Sequence, residues 1–168
     1  GAGKPRLTAE GLDTIRLDEP SYGARWLYCE GADQLLFTEN DTNTARIFGT
    51  PTSGYAKDGI NDFVVDGRTA AVNPARVGTK AAADYALRVP AGGTAVVRLR
   101  LSDRDADRLP GGPFGPAFDQ MFARRRREAD EFYAEVIPAE LDADARQVMR
   151  QSLAGVLWSK QYYHYVVR

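Results

Sequence analysis

The pattern of apolar and polar positions predicts several short strands in the first two thirds of the chain. An apolar run at residues 35–37, flanked by turn formers, is typical of a buried strand. Residues 12–18 and 25–29 predict two earlier strands, and the second should pair antiparallel with residues 35–37 because the connection is short. Apolar alternation over residues 83–89 and 95–101, around Pro-Ala-Gly-Gly, predicts a β-hairpin with one buried face.

Smaller features complete this picture of a sheet domain. Residues 63–65 read as a short strand closed by Asp-Gly, and Ile47 and Phe48 are expected to be buried at the far end of a polar loop. Arg98 and Arg100 alternate with apolar residues, so they are expected on the solvent side of the hairpin. Many short strands with Gly/Pro turns favour an antiparallel β-sandwich, possibly incomplete and supersandwich-like, within an α+β chain.

The period of the pattern changes to that of a helix near Pro116. Apolar residues then recur on one broad stripe until Pro138, which cannot continue a helix. Asp142 is placed to cap a second helix. Residues 103–116 are charged and then rich in Gly and Pro, which is typical of a linker. Two C-terminal α-helices are therefore predicted to follow the sandwich.

The end of the chain is apolar on nearly every side of its predicted helix. A helix of this kind belongs in the interior of something larger. The cluster predicts an interface, either with a domain that follows or with a second copy through the C-terminal helix. His164 fits a packed position better than a catalytic one, since no nucleophile or metal-ligand set accompanies it. The interface residues are Trp158, Tyr162, Tyr163, His164 and Tyr165.

Composition excludes some functions and leaves others open. Among 168 residues, 22 are basic and 23 acidic, so no net field favours nucleic acid or an anionic membrane as a partner. No apolar run approaches the ~20 residues that span a bilayer. Residues 1–5 do not resemble a signal peptide, which favours a cytoplasmic location. The single cysteine, Cys29, fits a small buried side chain, and the sequence predicts no metal or cofactor.

Polar side chains after the strand at residues 35–37 form the candidate binding site. Short Asn, Asp and Thr side chains hold a loop in one shape by bonding neighbouring backbone. Such a loop either presents carboxylate and amide groups to a sugar or only fixes a domain interface. A second excursion, residues 50–61, carries a Lys-Asp pair that could act with it. The candidate substrate-binding residues are Glu39, Asn40, Asn43, Lys57 and Asp58, and none of them is assigned a catalytic role.

Five segments, taken together, resemble the bacterial members of glycoside hydrolase family sixty-three, the relatives of mannosyl-oligosaccharide glucosidase. The resemblance covers the chain from about Gly23 onward, in the same order, although no single segment is a catalytic signature. The segments are 27–31 (LYCEG), 35–43 (LLFTENDTN), 55–59 (YAKDG), 73–80 (NPARVGTK) and 157–165 (LWSKQYYHY).

The resemblance implies an inverting glycosidase in which a β-sandwich and a helical linker precede a catalytic (α/α)6 barrel. This chain would then comprise a linker or tag remnant (1–11), a sandwich portion (12–102), a Gly/Pro linker (103–116) and a helical linker (117–168). The barrel that would supply both catalytic carboxyl groups is absent, so the fragment itself is expected to be inactive. Its expected partners are that barrel and an oligosaccharide.

Two other functions remain open from the sequence. A stand-alone carbohydrate-binding module would need an exposed aromatic platform, for which Trp26 and Tyr28 are candidates, although their strand context favours core positions. An oligomerisation module would use the aromatic C-terminal helix as its interface. A run of arginines, residues 124–127, is read as a solvated helix face, because consecutive helical residues point around the helix and three of these arginines have acids four residues on.

Overall fold

A computed structural model describes residues 3–159. These residues divide into two compact units, the first ending at Ala117 and the second beginning at Phe118. The first unit contains strands β1 (Arg6–Ala9), β2 (Thr14–Glu19), β3 (Gly23–Cys29), β4 (Gln34–Thr38), β5 (Val77–Gly78), β6 (Lys80–Asp84) and β7 (Leu99–Ser102), and helices α1 (Thr44–Phe48) and α2 (Gly59–Asp66). Short 3-10 turns at Thr69–Ala71 and Ala106–Arg108 belong to it, and α3 (Pro116–Val136) starts at its end. The second unit contains the rest of α3 and α4 (Ala143–Trp158).

The strands form two antiparallel sheets, which confirms the α+β class. The first sheet has the order β5-β1-β2-β3-β7, and the second pairs β4 with β6. Strand β1 lies within residues 1–11, which were expected to be a linker or tag remnant, and it pairs with both β2 and β5. The predicted pairing of the strands at residues 25–29 and 35–37 is wrong, because β3 and β4 belong to different sheets.

The two sheets share one apolar core. Ile15 and Cys29 come from the first sheet, and Leu35 and Phe37 come from the second. Phe37 and Cys29 have no exposed surface, so the prediction of a buried strand at residues 35–37 and of a buried cysteine is confirmed. Period-two alternation explains this arrangement, because every second side chain of each strand faces the opposite sheet. The sandwich is not closed into a barrel.

The predicted hairpin over residues 83–101 is wrong. Strand β6 pairs with β4 and strand β7 pairs with β3, so the two halves of the alternating segment enter different sheets. Arg98 and Arg100 lie on the face opposite the shared core, as expected, but they are half-buried rather than fully solvated. The expectation that Leu99 and Leu101 lie on a buried face is wrong, because they are 51% and 65% exposed. The Arg100 guanidinium donates a hydrogen bond to the Pro113 carbonyl oxygen at 2.9 Å. Alternation identified extended chain here but could not identify its partners.

The segment of residues 103–116, expected to be a linker, packs against the outer face of the first sheet. The Tyr28 hydroxyl donates to the Arg104 carbonyl oxygen at 3.0 Å, and the Arg98 guanidinium lies over the Phe114 ring. Tyr28 is buried as a result, with Leu109 also buried in this segment. The side of the sheet opposite the shared core is therefore covered locally by this segment.

Residues 63–65, predicted as a strand, lie in helix α2. The helix ends at Gly67, whose φ of 67° is left-handed and whose N–H donates to the Asp62 and Phe63 carbonyl oxygens. This ending is the glycine-capped helix terminus that L-residues adopt poorly. Ile47 and Phe48 were expected to be buried, but both are exposed in the short helix α1. A three-residue apolar run does not distinguish strand from helix.

The second unit follows the sequence closely. Both predicted helices are present, and the Asp142 side chain accepts a hydrogen bond from the Ala145 N–H at 2.8 Å, as a helix N-cap does. The Arg150 guanidinium contacts Asp130 at 2.7 Å and lies 4.7 Å from the centre of the Tyr133 ring, which ties α4 to α3. No helix in residues 3–159 is long and apolar enough to cross a membrane.

Candidate functional site

The loop that follows β4 is held by side-chain hydrogen bonds at its start. The Thr79 hydroxyl donates to Glu39 Oε2 at 2.7 Å and accepts from the Asn40 N–H at 2.7 Å. The Glu39 N–H also donates to the Tyr55 carbonyl oxygen at 2.7 Å. Glu39 therefore fixes the loop, while the Asn40 side chain is exposed and bonds no other residue within 3–159. Thr79 was not anticipated from the sequence, because it lies about 40 residues away.

Asp41 and Lys57 meet through the backbone. The Lys57 N–H donates to the Asp41 carbonyl oxygen at 3.0 Å, and the Asp41 carboxylate binds the Lys4 ammonium at 2.8 Å. The Lys57 side chain is exposed and makes no hydrogen bond to another described residue. The loop and the second excursion are thus adjacent, as a shared site requires, but the Lys57 ammonium takes no part in holding them together.

Asn43 connects three elements at the far end of the loop. As the N-cap of α1, its Oδ1 accepts from the Arg46 N–H at 3.0 Å and from the Thr52 hydroxyl at 3.2 Å. Its Nδ2 donates to Asp58 Oδ2 at 3.0 Å. Asn43 and Asp58 were both predicted site residues, and the structure brings them into direct contact. One amide side chain therefore starts a helix and orients the carboxylate.

The Asp58 carboxylate is the most distinctive group of the site. Its Oδ2 also accepts a hydrogen bond from Arg46 Nη1 at 3.2 Å. Its Oδ1 is buried and has no hydrogen-bond partner among the described residues, although the side chain as a whole is 26% exposed. Burial acts to raise the pKa of Asp58, but the hydrogen bonds from Asn43 and Arg46 outweigh it, so the pKa lies below its ordinary value. Asp58 is therefore an ionised acceptor at neutral pH.

A second carboxylate, Asp62, lies one helical turn beyond Asp58. Its side chain is only 10% exposed, and its oxygens accept from Arg46 Nη1 at 3.3 Å and Arg68 Nη2 at 2.9 Å. Arg46 thus bridges both carboxylates. The sequence analysis missed Arg46, Asp62 and Arg68. The four-residue spacing from Asp58 could have identified Asp62, but only if the segment had been read as a helix, and no local signal points to either arginine.

Gly59 allows α2 to approach the turn at Thr69–Ala71. A Cβ at this position would lie 2.1 Å from the Ala71 carbonyl oxygen, a distance that no side chain can occupy. Glycine is therefore required by close backbone approach. Because Gly59 immediately follows Asp58, this contact also fixes where the Asp58 carboxylate sits.

These residues surround a cavity, here called the polar pocket, of about 270 Å³. Asn43 and Asp58 line it, whereas Glu39, Asn40 and Lys57 lie outside it. Its wall combines carboxylate, amide and hydroxyl groups with one aromatic ring, a mixture suited to a neutral, hydroxyl-rich ligand. The lining residues are Asn43, Thr52, Gly54, Tyr55, Ala56, Asp58, Gly59, Asp62, Ala70 and Ala71.

The other candidate residues from the sequence have separate positions. Trp26 is half-buried, with the Arg16 guanidinium 5.7 Å from its ring centre and its indole N–H donating to Glu10 at 2.9 Å. With Tyr28 buried, these two rings do not form an open aromatic platform. Residues 3–159 contain no group of three or more His, Cys, Asp or Glu side chains arranged to hold a metal ion.

The predicted aromatic interface is described only at its first residue. Trp158 ends α4 and is 90% exposed. The other members, Tyr162, Tyr163, His164 and Tyr165, lie outside the described residues. The interface stays a prediction.

Comparison with known proteins gives one relative and no assigned function. The chain is 34% identical over 139 residues to a protein of Saccharomyces cerevisiae described as uncharacterized protein YMR196W. The match covers 78% of this chain and 13% of the yeast protein, so the chain spans only a small part of that relative. No family model matches the sequence, and no solved structure matches it.

Proposed function

We propose that this chain is a non-catalytic sandwich and helical linker of a larger glycosidase-like enzyme, and that its polar pocket contacts the carbohydrate substrate. The observation that carries the proposal is Asp58, whose ionised carboxylate belongs to the pocket wall and keeps one oxygen, the buried Oδ1, with no hydrogen-bond partner among the described residues. Buried acceptors are normally paired. Because Oδ1 has almost no exposed surface, the carboxylate would turn toward the pocket when a sugar binds, and a sugar hydroxyl would then donate to this oxygen and remove the cost of leaving it unpaired.

The rest of the pocket supports a sugar over a charged ligand. No lysine or arginine is among the described residues that line the pocket, and Arg46 beside it is paired with Asp58 and Asp62, so the wall favours no phosphate or carboxylate ligand. Tyr55 supplies an aromatic ring, which suits the apolar face of a pyranose, whereas the Thr52 hydroxyl is already bonded to Asn43 Oδ1 and to the Ala45 N–H. At about 270 Å³ the pocket has room for a terminal sugar unit rather than a long chain.

The same geometry supports binding without catalysis. Inverting hydrolysis needs a general acid whose pKa is raised and a second carboxylate about 6.5–9.5 Å away that activates water. The pKa of Asp58 is lowered, so it holds no proton to donate at neutral pH. Asp62 is held by two arginines and is almost buried, which leaves it unsuited to activating water. In this proposal the acid and the base come from a catalytic barrel elsewhere in the parent enzyme.

The test is Asp58→Asn in the full-length parent, assayed on a panel of gluco-oligosaccharides. A hydrogen bond to a charged group contributes about 1.5–3 kcal/mol, so KM should rise about 10- to 100-fold while kcat changes much less. Asp144→Asn is the matched control, because Asp144 is an exposed aspartate in the first turn of α4. Unchanged KM and kcat in the Asp58 variant, with hydrolysis intact, would rule out the pocket. A parent that hydrolyses no glycoside would overturn the wider proposal.

A further inference from the structure

Residues 86–97, here called the arm, join β6 to β7 as exposed, extended chain. The Gly93 N–H donates to the Pro90 carbonyl oxygen at 2.9 Å, which marks a turn at the tip. Within residues 3–159 the arm belongs to neither sheet. Its sequence nevertheless keeps strand-like alternation, with Leu87 and Val89 before the turn and Val97 after it. A segment that has the sequence pattern of a strand but pairs with no strand leaves its backbone N–H and C=O groups open to pairing with another strand.

The surface of β7 continues the apolar pattern of the arm. Leu99 and Leu101 lie opposite Cys29 and Leu27 across the β3–β7 ladder, so they point to the same side as the shared core. Cys29 is fully buried, yet Leu99 is 51% and Leu101 is 65% exposed. Within the described residues the first sheet has five strands and the second has two, and the exposure of Leu99 and Leu101 indicates that the second sheet does not cover this end of the first.

We infer that the arm and the core-side face of β7 together bind further β-strands of the same polypeptide, from outside these 168 residues. Two observations favour this occupant. The uncovered face is continuous with the shared core, so the partner must complete that core rather than meet a separate surface. The related yeast protein extends far beyond the matched region, which is 13% of its length. A parent of comparable length would have ample sequence to supply strands.

The chemistry of the surface defines what the incoming strands look like. Backbone groups of the arm and the free edge of β7 would hydrogen-bond them, as in strand addition to a sheet edge. Side chains at alternate positions would have to be apolar to cover Leu99 and Leu101. A strand shifted by one residue would place its polar side chains against Leu99 and Leu101 and would not bind.

Hydrogen exchange in the full-length parent and in the isolated 168-residue chain tests the inference directly. Amides of residues 87–97 should exchange at least about 100-fold more slowly in the parent, because strand pairing protects them, and should exchange freely in the isolated chain. Equal exchange in the two proteins would overturn the inference. Protection that appears in the isolated chain and grows with its concentration would identify a second copy as the occupant and would overturn it equally.

Substitutions supply a second, independent readout. Leu99→Lys and Leu101→Lys should lower the Tm of the parent, since each buries a charge under the added strands, and should change the Tm of the isolated chain little. Leu12→Lys is the control, because Leu12 lies in the β1–β2 turn and is 80% exposed. If all three variants shift the Tm of the parent equally, no strand covers this face. Neither measurement involves a sugar, so failure here leaves the proposal for the polar pocket unaffected.

Discussion

Replacing Gly59 with alanine tests whether close backbone packing holds the polar pocket in place. The added Cβ would lie 2.1 Å from the Ala71 carbonyl oxygen and 3.1 Å from its carbon. Because these are backbone atoms, α2 or the neighbouring turn must move. Overpacking of this kind typically costs about 1–3 kcal/mol, and the better helix propensity of alanine returns at most about 1 kcal/mol. An approach of 2.1 Å to a backbone atom is a severe overlap, which favours the upper end of that cost, so the expected net loss of unfolding free energy is about 2 kcal/mol.

The matched control is Gly155→Ala, inside α4. An added Cβ there meets nothing within 4 Å, so only helix propensity acts and the second unit should gain up to about 1 kcal/mol. The chain has two tryptophans, Trp26 in the first unit and Trp158 in the second. Trp158 is 90% exposed, so its fluorescence would change little on unfolding. Urea unfolding of the first unit is therefore followed by Trp26 fluorescence with Trp158 replaced by phenylalanine, and that of the helical second unit by far-ultraviolet circular dichroism. With a typical slope of 1–3 kcal/mol per molar, the midpoint of the Gly59 variant should fall by about 1 M.

The reasoning fails if Gly59→Ala unfolds at the same urea concentration as the unsubstituted chain while Gly155→Ala gains the expected stability. That result would mean that α2 can move away from Ala71 at no cost. The position of Asp58 would then not depend on glycine at residue 59. A Gly59 variant with lowered stability but unchanged KM in the full-length enzyme would instead separate packing from binding.

Three further predictions follow from single side chains. The pKa of Asp58 is lowered in the folded state. Its ionised carboxylate therefore stabilises the fold above the ordinary aspartate pKa, and this contribution is lost as the pH falls toward the folded-state pKa. Between about pH 5 and about pH 2, the urea midpoint of Asp58→Asn should therefore fall less steeply than that of the unsubstituted chain. Burial, with a smaller effect of Asp13, raises the pKa of the Cys29 thiol, so a thiol reagent should modify it about 100-fold faster in denaturant than in buffer. Asp142→Ala removes the cap of α4 and should cost about 1 kcal/mol, measured by urea unfolding of the second unit through its helical circular dichroism, and the exposed Asp144→Ala should cost much less.

Elements fixed by local physics were predictable from the sequence. Strand β4 is an apolar run between turn formers, and Pro116, Pro138 and Asp142 mark the limits of α3 and α4. Each of these signals acts within a few residues of the element it defines. No long-range contact is needed to recognise them, and the structure confirms all of them.

Elements that depend on a distant partner were not predictable in the same way. The alternation over residues 83–101 is the same for a hairpin as for two strands that enter different sheets, since side-chain period fixes the face and not the neighbour. The pattern did place Leu99 and Leu101 on the core side. It could not show that they lie beyond the reach of the second sheet. Helix α2 was missed because its apolar run is three residues long and depends on Gly67 to end it.

In the candidate site, too, residues marked by local sequence signals could be predicted and residues brought in by long-range contacts could not. Asn43 and Asp58 could be identified because Asn before a helical turn and Asp before glycine are strong local signals. Arg46 and Arg68 could not, since arginine on a helix surface is usually solvated and only the fold brings both to Asp62. Lys57, which local sequence favoured as a ligand, takes part only through its backbone.

The polar pocket and the arm have opposite chemistry, and this difference argues for two separate roles. Among residues 3–159, the pocket leaves one carboxylate oxygen, Asp58 Oδ1, without a partner, whereas the arm and β7 leave apolar side chains exposed. A hydroxyl-rich ligand would satisfy the first and gain nothing from the second, while apolar strands would do the reverse. Substitutions at Asp58 should therefore change substrate affinity without changing protection of the arm, and substitutions at Leu99 should do the opposite. Because the two sites lie on different segments of the chain and share no residue, a double variant of Asp58 and Leu99 should show additive effects.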